Sequence, residues 1–489
     1  MENHERMPRV RKGMATQRET ERSVDRDAGK DAEAIAAAIQ EHLVRPQEAL
    51  RGWRSEPVRL VESRHRTTSR AAFTFVAPLV NEATGERQDR TVVAVSYGGN
   101  RTRRAWERLK RPSGMAGGMA VAPPLLRAGY DPGLDLLLQS FPFDNRLPAL
   151  QVLLAGPNAA VLEALGAPAQ AAWSVEVVRY HPDMRAMLAV SAGDRRGFVK
   201  LYRDEEKGAE ATAVHAAIRA GMARHSGVEI PEVLGWLPEL RAQVLAPAVG
   251  EELQTALALA GGGAPEIAGR AARAIAGFHQ LPLDPAWSRP PDQESLRVDR
   301  LAADLMERFP ALSERVVRVS TALDEALPLG PVGTSHGDLK PEHVLVAGER
   351  VALIDFDRVA VGDPLQDVAN LAHQLARRLG REAGGGTPYP AAVGALLDAY
   401  AAAMPEEWAR HLPARLARAA FGKAAVAIRG GDATEGWAEA GLREAEDALA
   451  GRLWSAEPGA VAEPAMIEDS TRAARVARGR SRGRGRAAR

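Results

Sequence analysis

The stretch from residue 333 to 370, GTSHGDLKPEHVLVAGERVALIDFDRVAVGDPLQDVAN, constrains the fold more than any other part of the chain. His336, Gly337 and Asp338 precede a short apolar run, Val344 to Val346, and a second run, Val351 to Ile354, ends in Asp355, Phe356 and Asp357. Apolar, β-branched runs of this length predict two short strands, which deliver two carboxylates to neighbouring loop mouths. Acidic groups held a few ångströms apart on rigid strands suit one kind of work above others. One carboxylate can receive or orient an acceptor hydroxyl while another holds a divalent cation against phosphate oxygens.

The rest of the chain narrows the setting for such a site. At 489 residues, two to four structural units are expected. There is no cysteine, which excludes disulfides, thiolate metal sites, iron–sulfur clusters and cysteine nucleophiles, and fits a reducing compartment. No apolar run reaches the ~18 residues of a membrane span, and the N-terminus has charge without an apolar signal core. The expectation is a cytoplasmic protein with no membrane contact. Only seven lysines occur (Lys12, Lys30, Lys110, Lys200, Lys207, Lys340 and Lys423) among 64 basic residues, so a lysine inside an apolar strand is informative.

Residues 1–30 are charged and poor in large apolar side chains, too little to offset ordering entropy, and read as a disordered arm. Residues 31–56 read as a helical lead-in, broken near Pro46. From 57 to 150 the pattern is strand-rich: VRLVES, RAAFTFVAPL, a polar hairpin, TVVAVSY, a basic helix from Arg101 to Arg111, a Gly/Met/Pro loop, then LLRAGY and LDLLLQSFPF. Residues 174–250 repeat that order with VEVVRY, RAMLAVSA, GFVKLY, a helix from about Glu205 to Ala220, PEVLGW and RAQVLAPAV. Arg70 then matches Arg185 and Pro124 matches Pro231, so 57–150 is expected to be a second copy of the later unit. The copies differ where it counts: FVKLY at 198–202 faces VAVSY at 93–97, and the strand lysine is missing from the first. Residues 251–453 should be mainly helical, with helices at Ile267–Leu281, Val298–Leu327, Val368–Arg381, Tyr389–Met404, Glu406–Arg429 and Ala433–Leu453 and a loop at GREAGGGTPYP. Residues 454–489 form an arginine- and glycine-rich tail, expected to be disordered. Nucleic-acid contact through that tail is conceivable but not favoured, because no aromatics are interleaved for base stacking.

The central stretch resembles the aminoglycoside phosphotransferase family of small-molecule kinases. The resemblance rests on His336-Gly337-Asp338, on Asp355-Phe356 with nearby Asp357, on Gly362-Asp363-Pro364 and on Asp367, in family order and spacing. It implies an α+β, protein-kinase-like bilobal fold, with a small antiparallel β-sheet lobe at 174–250 and a helical lobe at 251–453. The N-terminal α+β unit would resemble a second small lobe. It also implies an ATP- and Mg2+-dependent transfer to a hydroxyl of a small molecule such as a sugar, aminoglycoside or amino alcohol. Asp338 becomes the catalytic base and Asp355 the magnesium ligand. Asp357 is a second candidate for the metal, or a backbone brace. His336 is expected to hold the loop's shape, and Asp363 and Asp367 to cap a helix near Leu365 and brace the loop.

The nucleotide's partners follow from the same resemblance. Lys200, mid-strand between Val199 and Leu201, resembles the lysine that pairs the α- and β-phosphates. A buried ammonium needs a partner, which makes Glu210 on the following helix the choice and Glu206 the fallback. The turn HPDMR, ending in Arg185, is expected over the phosphates. Backbone near Ala246 and Ala248 is expected at adenine. Lys340, in DLKPE, matches the lysine that Ser/Thr protein kinases place on the transferred phosphate. A protein kinase is nevertheless disfavoured, because Gly362-Asp363-Pro364 follows Asp357 at once. One departure stands against the pattern: His343 occupies the place of the family's metal-binding asparagine. An imidazole is a poorer magnesium ligand than an oxygen, which leaves a catalytically weak or regulatory kinase-like module as the alternative.

Overall fold

The computed structural model describes residues 31–46, 52–65, 70–110, 125–225, 227–284, 292–327, 330–383, 390–430 and 434–453. The N-terminal arm, the Gly/Met/Pro loop at 111–124, the core of GREAGGGTPYP and the arginine tail lie outside them. The described residues fall into two units. The first comprises residues up to Arg195 together with 199–204 and 237–242; the second comprises 196–198, 205–236 and the chain from Gln243 onward.

In the first unit the alternating pattern of RAAFTFVAPL becomes a two-faced strand. Helix α1 (Ala32–Ile39) and a π-helical turn (Gln40–Val44) lead into β1 (Trp53–Ser55), β2 (Arg59–His65), β3 (Ala71–Asn81) and β4 (Arg87–Ser96). Helix α2 (Asn100–Leu109), β5 (Ala128–Asp131) and β6 (Leu136–Ser140) follow. The strands form a six-stranded sheet in the order β1-β3-β4-β6-β5, with β2 also on β3. Phe73, Phe75 and Leu79 point from β3 to one face, where Ile35, Ile39 and Leu43 of the lead-in cover them together with Leu136 and Leu138. Each such buried side chain contributes about 1.5–3 kcal/mol of transfer free energy, enough to fix which face α1 takes. Gly129 of β5 permits the lead-in to lie close, since a Cβ there would stand 2.7 Å from His42 Cβ. The polar turn between β3 and β4 is set by Asn81, whose Oδ1 accepts from Ala83 N at 3.0 Å and Thr84 N at 3.1 Å. The lead-in expected as helix to residue 56 therefore ends in a strand, because Trp53 to Ser55 pair with Asn81 to Leu79.

Two short helices missed by the sequence reading, α3 (Pro148–Ala155) and α4 (Ala159–Ala164), precede β7 (Trp173–His181), β8 (Arg185–Ala192) and β9 (Arg195–Tyr202). The hairpin of β7 and β8 lies in the first unit. The two hairpins share an irregularity: the β2–β3 register slips between Leu60 and Glu62, and the β7–β8 register slips between Val177 and Arg179. The bulged residues, Val61 and Val178, are 55% and 53% exposed. Chain order also recurs, with three strands, a helix and two strands in β2-β3-β4-α2-β5-β6 and again from β7 through α5 (Glu205–Met222), β11 (Val233–Leu237) and β12 (Ala242–Leu245), apart from the two-residue strand Val228–Glu229 that intervenes after α5 and pairs elsewhere.

The second unit is a helical body around a four-stranded sheet and a two-stranded one. After β10 (Val228–Glu229) and β13 (Glu251–Glu252) come α6 (Leu253–Ala260), α7 (Ala264–His279), α8 (Asp292–Arg308) and α9 (Ser313–Ala326). Strands β14 (Gly333–Ser335), β15 (Val344–Ala347), β16 (Arg350–Leu353) and β17 (Ala360–Gly362) carry the central stretch. Helices α10 (Pro364–Ala383), α11 (Ala391–Ala403), α12 (Glu406–Ala409), α13 (Leu412–Gly430) and α14 (Glu435–Leu449) complete it. Two expected helices are each broken in two. Val298–Leu327 breaks before Pro310, and Glu406–Arg429 breaks before Pro413, where the missing N–H and the bias of the preceding residue end a helix. Gly441 of α14 sits on Ala424 of α13, and a Cβ on it would come 2.6 Å from the alanine's own.

Candidate active site

The two loop mouths expected from the sequence are formed as two strand pairs. β14 pairs antiparallel with β17, and β15 with β16 from Val344 opposite Leu353 to Ala347 opposite Arg350. One loop leaves β14 at His336 and the other leaves β16 at Ile354. A single side chain ties them, because His336 Nε2 donates to the Ile354 carbonyl at 3.0 Å. His336 is fully buried, and burial holds its imidazole below the ordinary histidine pKa. It links the two loops and is shielded from solvent.

Asp367, on the first turn of α10, braces the same loop from below. Its Oδ2 accepts from His336 N at 2.6 Å and Ser335 Oγ at 2.8 Å, and its Oδ1 accepts from Gly337 N at 2.9 Å. His279, at the end of α7, brings Nε2 to 3.5 Å from Asp367 Oδ2 and Nδ1 to 2.8 Å from the Tyr400 hydroxyl. At 3.5 Å the first contact is electrostatic rather than a formed hydrogen bond. Burial pushes the Asp367 carboxyl up, yet the close approach of His279, the neighbouring His336 and the Ser335 hydrogen bond outweigh it and hold the group below the usual carboxylate range. Asp363 takes the other expected role: its Oδ1 caps α10 through Leu365 N at 3.0 Å, and its Oδ2 receives the buried Arg415 Nε at 2.8 Å.

Within this frame Asp338, His343 and Asp355 converge, each offering one ligand atom within 4.8 Å of the others. His343 Nδ1 donates to the Asp338 carbonyl at 2.9 Å, which fixes the tautomer and leaves the Nε2 lone pair facing Asp355 Oδ2 at 3.6 Å. Burial lowers this imidazole to about 4 despite the pull of the Asp355 charge. Two acceptors set face to face repel each other unless a cation stands between them, so the donor set fits a divalent ion. Asp355 holds a left-handed backbone at φ 67°, and the following Phe356 is buried edge-on against His215, with ring centroids 5.0 Å apart. Asp357, the other candidate ligand, lies outside this trio.

Lys340 Nζ donates to Asp338 Oδ2 at 2.8 Å, and Arg358 Nη1 stands 3.9 Å from Oδ1. The remaining expected residues are distributed as follows. In the first unit, Arg185 opens β8, and Lys200, only 4% exposed in β9, has its ammonium 5.8 Å from the centre of the Tyr202 ring. In the second unit, Glu210 and Glu206 are exposed on α5. The amide of Ala246 donates to the Glu232 carbonyl at 2.9 Å, so only its carbonyl is left for an adenine amine; Ala248 is half-buried. His279, Tyr400 and Arg415 were missed. Their only mark in the sequence is a polar side chain inside an alanine-rich helix.

Strands, helix and strands followed along the chain by a helical body define a kinase-like α+β fold. Residues 185–414 match the model of the Phosphotransferase enzyme family (APH), which marks that segment as a small-molecule phosphotransferase domain. No curated protein matches the chain. Among solved structures, a thermostable mutant of aminoglycoside phosphotransferase APH(4)-Ia, in ternary complex with ADP and hygromycin B, is 16% identical. That match covers 59% of this chain and 96% of the other, with a TM-score of 0.40. Plasmodium vivax ethanolamine kinase is 12% identical over 63% of this chain and 95% of its own, with a TM-score of 0.39. A choline/ethanolamine kinase family protein from Mesorhizobium loti is 18% identical over 59% and 93%, with a TM-score of 0.39. No helix among the described residues is long and apolar enough to cross a membrane.

Proposed function

We propose that the chain transfers the γ-phosphoryl group of ATP to a hydroxyl of a small molecule, a sugar, aminoglycoside or amino alcohol, with a divalent cation. The observation that carries this reading is the convergence of Asp338, His343 and Asp355, with two facing acceptors 3.6 Å apart. When bound, the cation neutralises charge on the phosphate oxygens, and Asp355 and His343 are the residues that would hold it. Asp338 orients the acceptor hydroxyl and takes its proton as the new oxygen–phosphorus bond forms. The bond from the γ-phosphorus to the bridging oxygen breaks, and ADP leaves. Lys340 shields Asp338 before substrate arrives and is within reach of the transferred group afterwards. Lys200 pairs the nucleotide's other phosphates, and Arg185, Ala246 and Ala248 complete its binding. The recurrent strand order and the twin bulges at Val61 and Val178 support a duplicated small-lobe unit, the first copy of which lacks the lysine.

Thermal-shift and ATP-turnover assays with magnesium, over sugars, aminoglycosides and amino alcohols, test the reading, with Asp338→Ala and Lys200→Ala as controls. Absence of any ATP-dependent stabilisation would sink it. Nucleotide binding without turnover on any acceptor would favour the regulatory module, for which the His343 substitution is the specific argument.

A further inference from the structure

The turn between β7 and β8 is gripped by side chains that precede the family-matched segment. Asp183 sits at that turn with φ 59°, a left-handed backbone that a non-glycine residue keeps only when its surroundings impose it. Its amide donates to Asp144 Oδ2 at 2.8 Å, and the Tyr180 hydroxyl donates to the same oxygen at 2.8 Å. Its own carboxylate, 2% exposed, accepts from the Tyr97 hydroxyl and from Gln139 Nε2 at 3.3 Å. Arg70 Nη2 lies 3.6 Å from that carboxylate while donating to the Pro182 carbonyl at 2.6 Å. Asp144 is held in turn by the amides of Arg146 at 2.8 Å and Leu147 at 3.1 Å.

Burying two aspartates beside two half-buried tyrosines at one turn costs folding free energy that apolar packing would not, so stability alone does not account for the arrangement. What the network does achieve is a single posture for residues 180 to 185. The apolar part of the contact agrees. Val95, at the position of Lys200 in the proposed repeat, packs with Ala72, Val93, Tyr97 and Tyr180. The face that carries a phosphate-binding lysine in one copy is thus a docking face for the other copy's hairpin.

We propose that the N-terminal module is a clamp, in which Tyr97, Gln139 and Asp144 are positioning residues that hold the Asp183 turn, and Arg185 with it, in the posture that receives the nucleotide's phosphates. The inference rests on the ATP-dependent reading above. In the full chain, Tyr97→Phe and Asp144→Asn raise the KM for ATP about tenfold, while kcat and the acceptor KM stay within about twofold. Amide hydrogen exchange at 180 to 186 speeds up in both variants, while that of 333 to 345 is unchanged. Tyr97→Phe keeps its ring packing, so a melting temperature within a few degrees of the parent separates clamp loss from unfolding. Faster exchange with an unchanged KM for ATP overturns the clamp alone, and so does unchanged exchange. A parent protein that neither binds nor turns over ATP overturns the underlying reading, and with it the nucleotide role.

Discussion

Two buried aspartates, one in each unit, do the same mechanical work and titrate in opposite directions. Asp367 gathers two amides and a hydroxyl to shape the catalytic loop; Asp144 gathers three amides and a hydroxyl to shape the β7–β8 turn. Burial penalises both charges. Asp367 nevertheless falls below the ordinary carboxylate range, whereas Asp144 is raised to about 6 by burial and then by the neighbouring Asp183 charge. The neighbour decides: imidazoles surround one and a second carboxylate faces the other. Donor count does not set the charge state of a loop-bracing carboxylate when another formal charge is within reach.

The sharpest way to break this comparison is to remove each brace. Asp367→Asn replaces an acceptor-only group beneath His336 and Gly337, and kcat should fall by about 10² to 10³ with the ATP KM little changed. Asp144→Asn should leave kcat within about twofold. Equal losses in steady-state kinetics would show that the two loops are not separable. Asp338→Asn is the reference for the chemistry itself: turnover should drop by about 10³ or more while ATP still stabilises the protein in a thermal shift.

A smaller effect is expected from His343→Asn. An oxygen ligand restores a harder donor set, so magnesium should bind about tenfold more tightly relative to manganese, read by calorimetric titration of each ion. An unchanged preference would remove the imidazole from the metal's surroundings. The smallest effect is on pH. Asp367 has a folded pKa below its unfolded value, so its contribution is present above about pH 3.8 and fades as pH falls through the folded pKa. Asp144 is the reverse: its contribution is full below about 3.8 and is lost as pH rises through about 6. Asp183, Tyr180 and Arg146 face it, with Tyr97 and Arg70 on Asp183, and of these Asp183 supplies the repulsion. Between pH 4 and 7 the melting temperature of Asp144→Asn should therefore decline less with rising pH than that of the parent, by a few degrees at most.

How much of this is legible in the sequence differs between the same two regions. The 333–370 stretch is legible because short β-branched runs fix two strands and the loops that leave them, so His336, Asp338 and Asp355 stand at the loop mouths that the pattern predicts. His279 and Tyr400 are not, because a histidine in GRAARAIAGFHQ reads like any buried helix residue until the fold brings α7 against α10. The clamp is less legible still. Tyr97, Gln139 and Asp144 precede the matched segment and meet Asp183 only through strand pairing, 39 or more residues away along the chain. The breaks before Pro310 and Pro413 could have been read, since proline ends helices by local sterics alone, whereas the unit division inside β9 depends on contacts that no local pattern carries.

Asp355 closes the circle from another direction. A left-handed backbone at a non-glycine residue costs of order 1–2 kcal/mol, and glycine there would relieve it at once. The same backbone that is strained at φ 67° is the one that sets the Asp355 carboxylate 3.6 Å from His343 Nε2, so Asp355→Gly should raise the melting temperature by a few degrees while removing that facing oxygen.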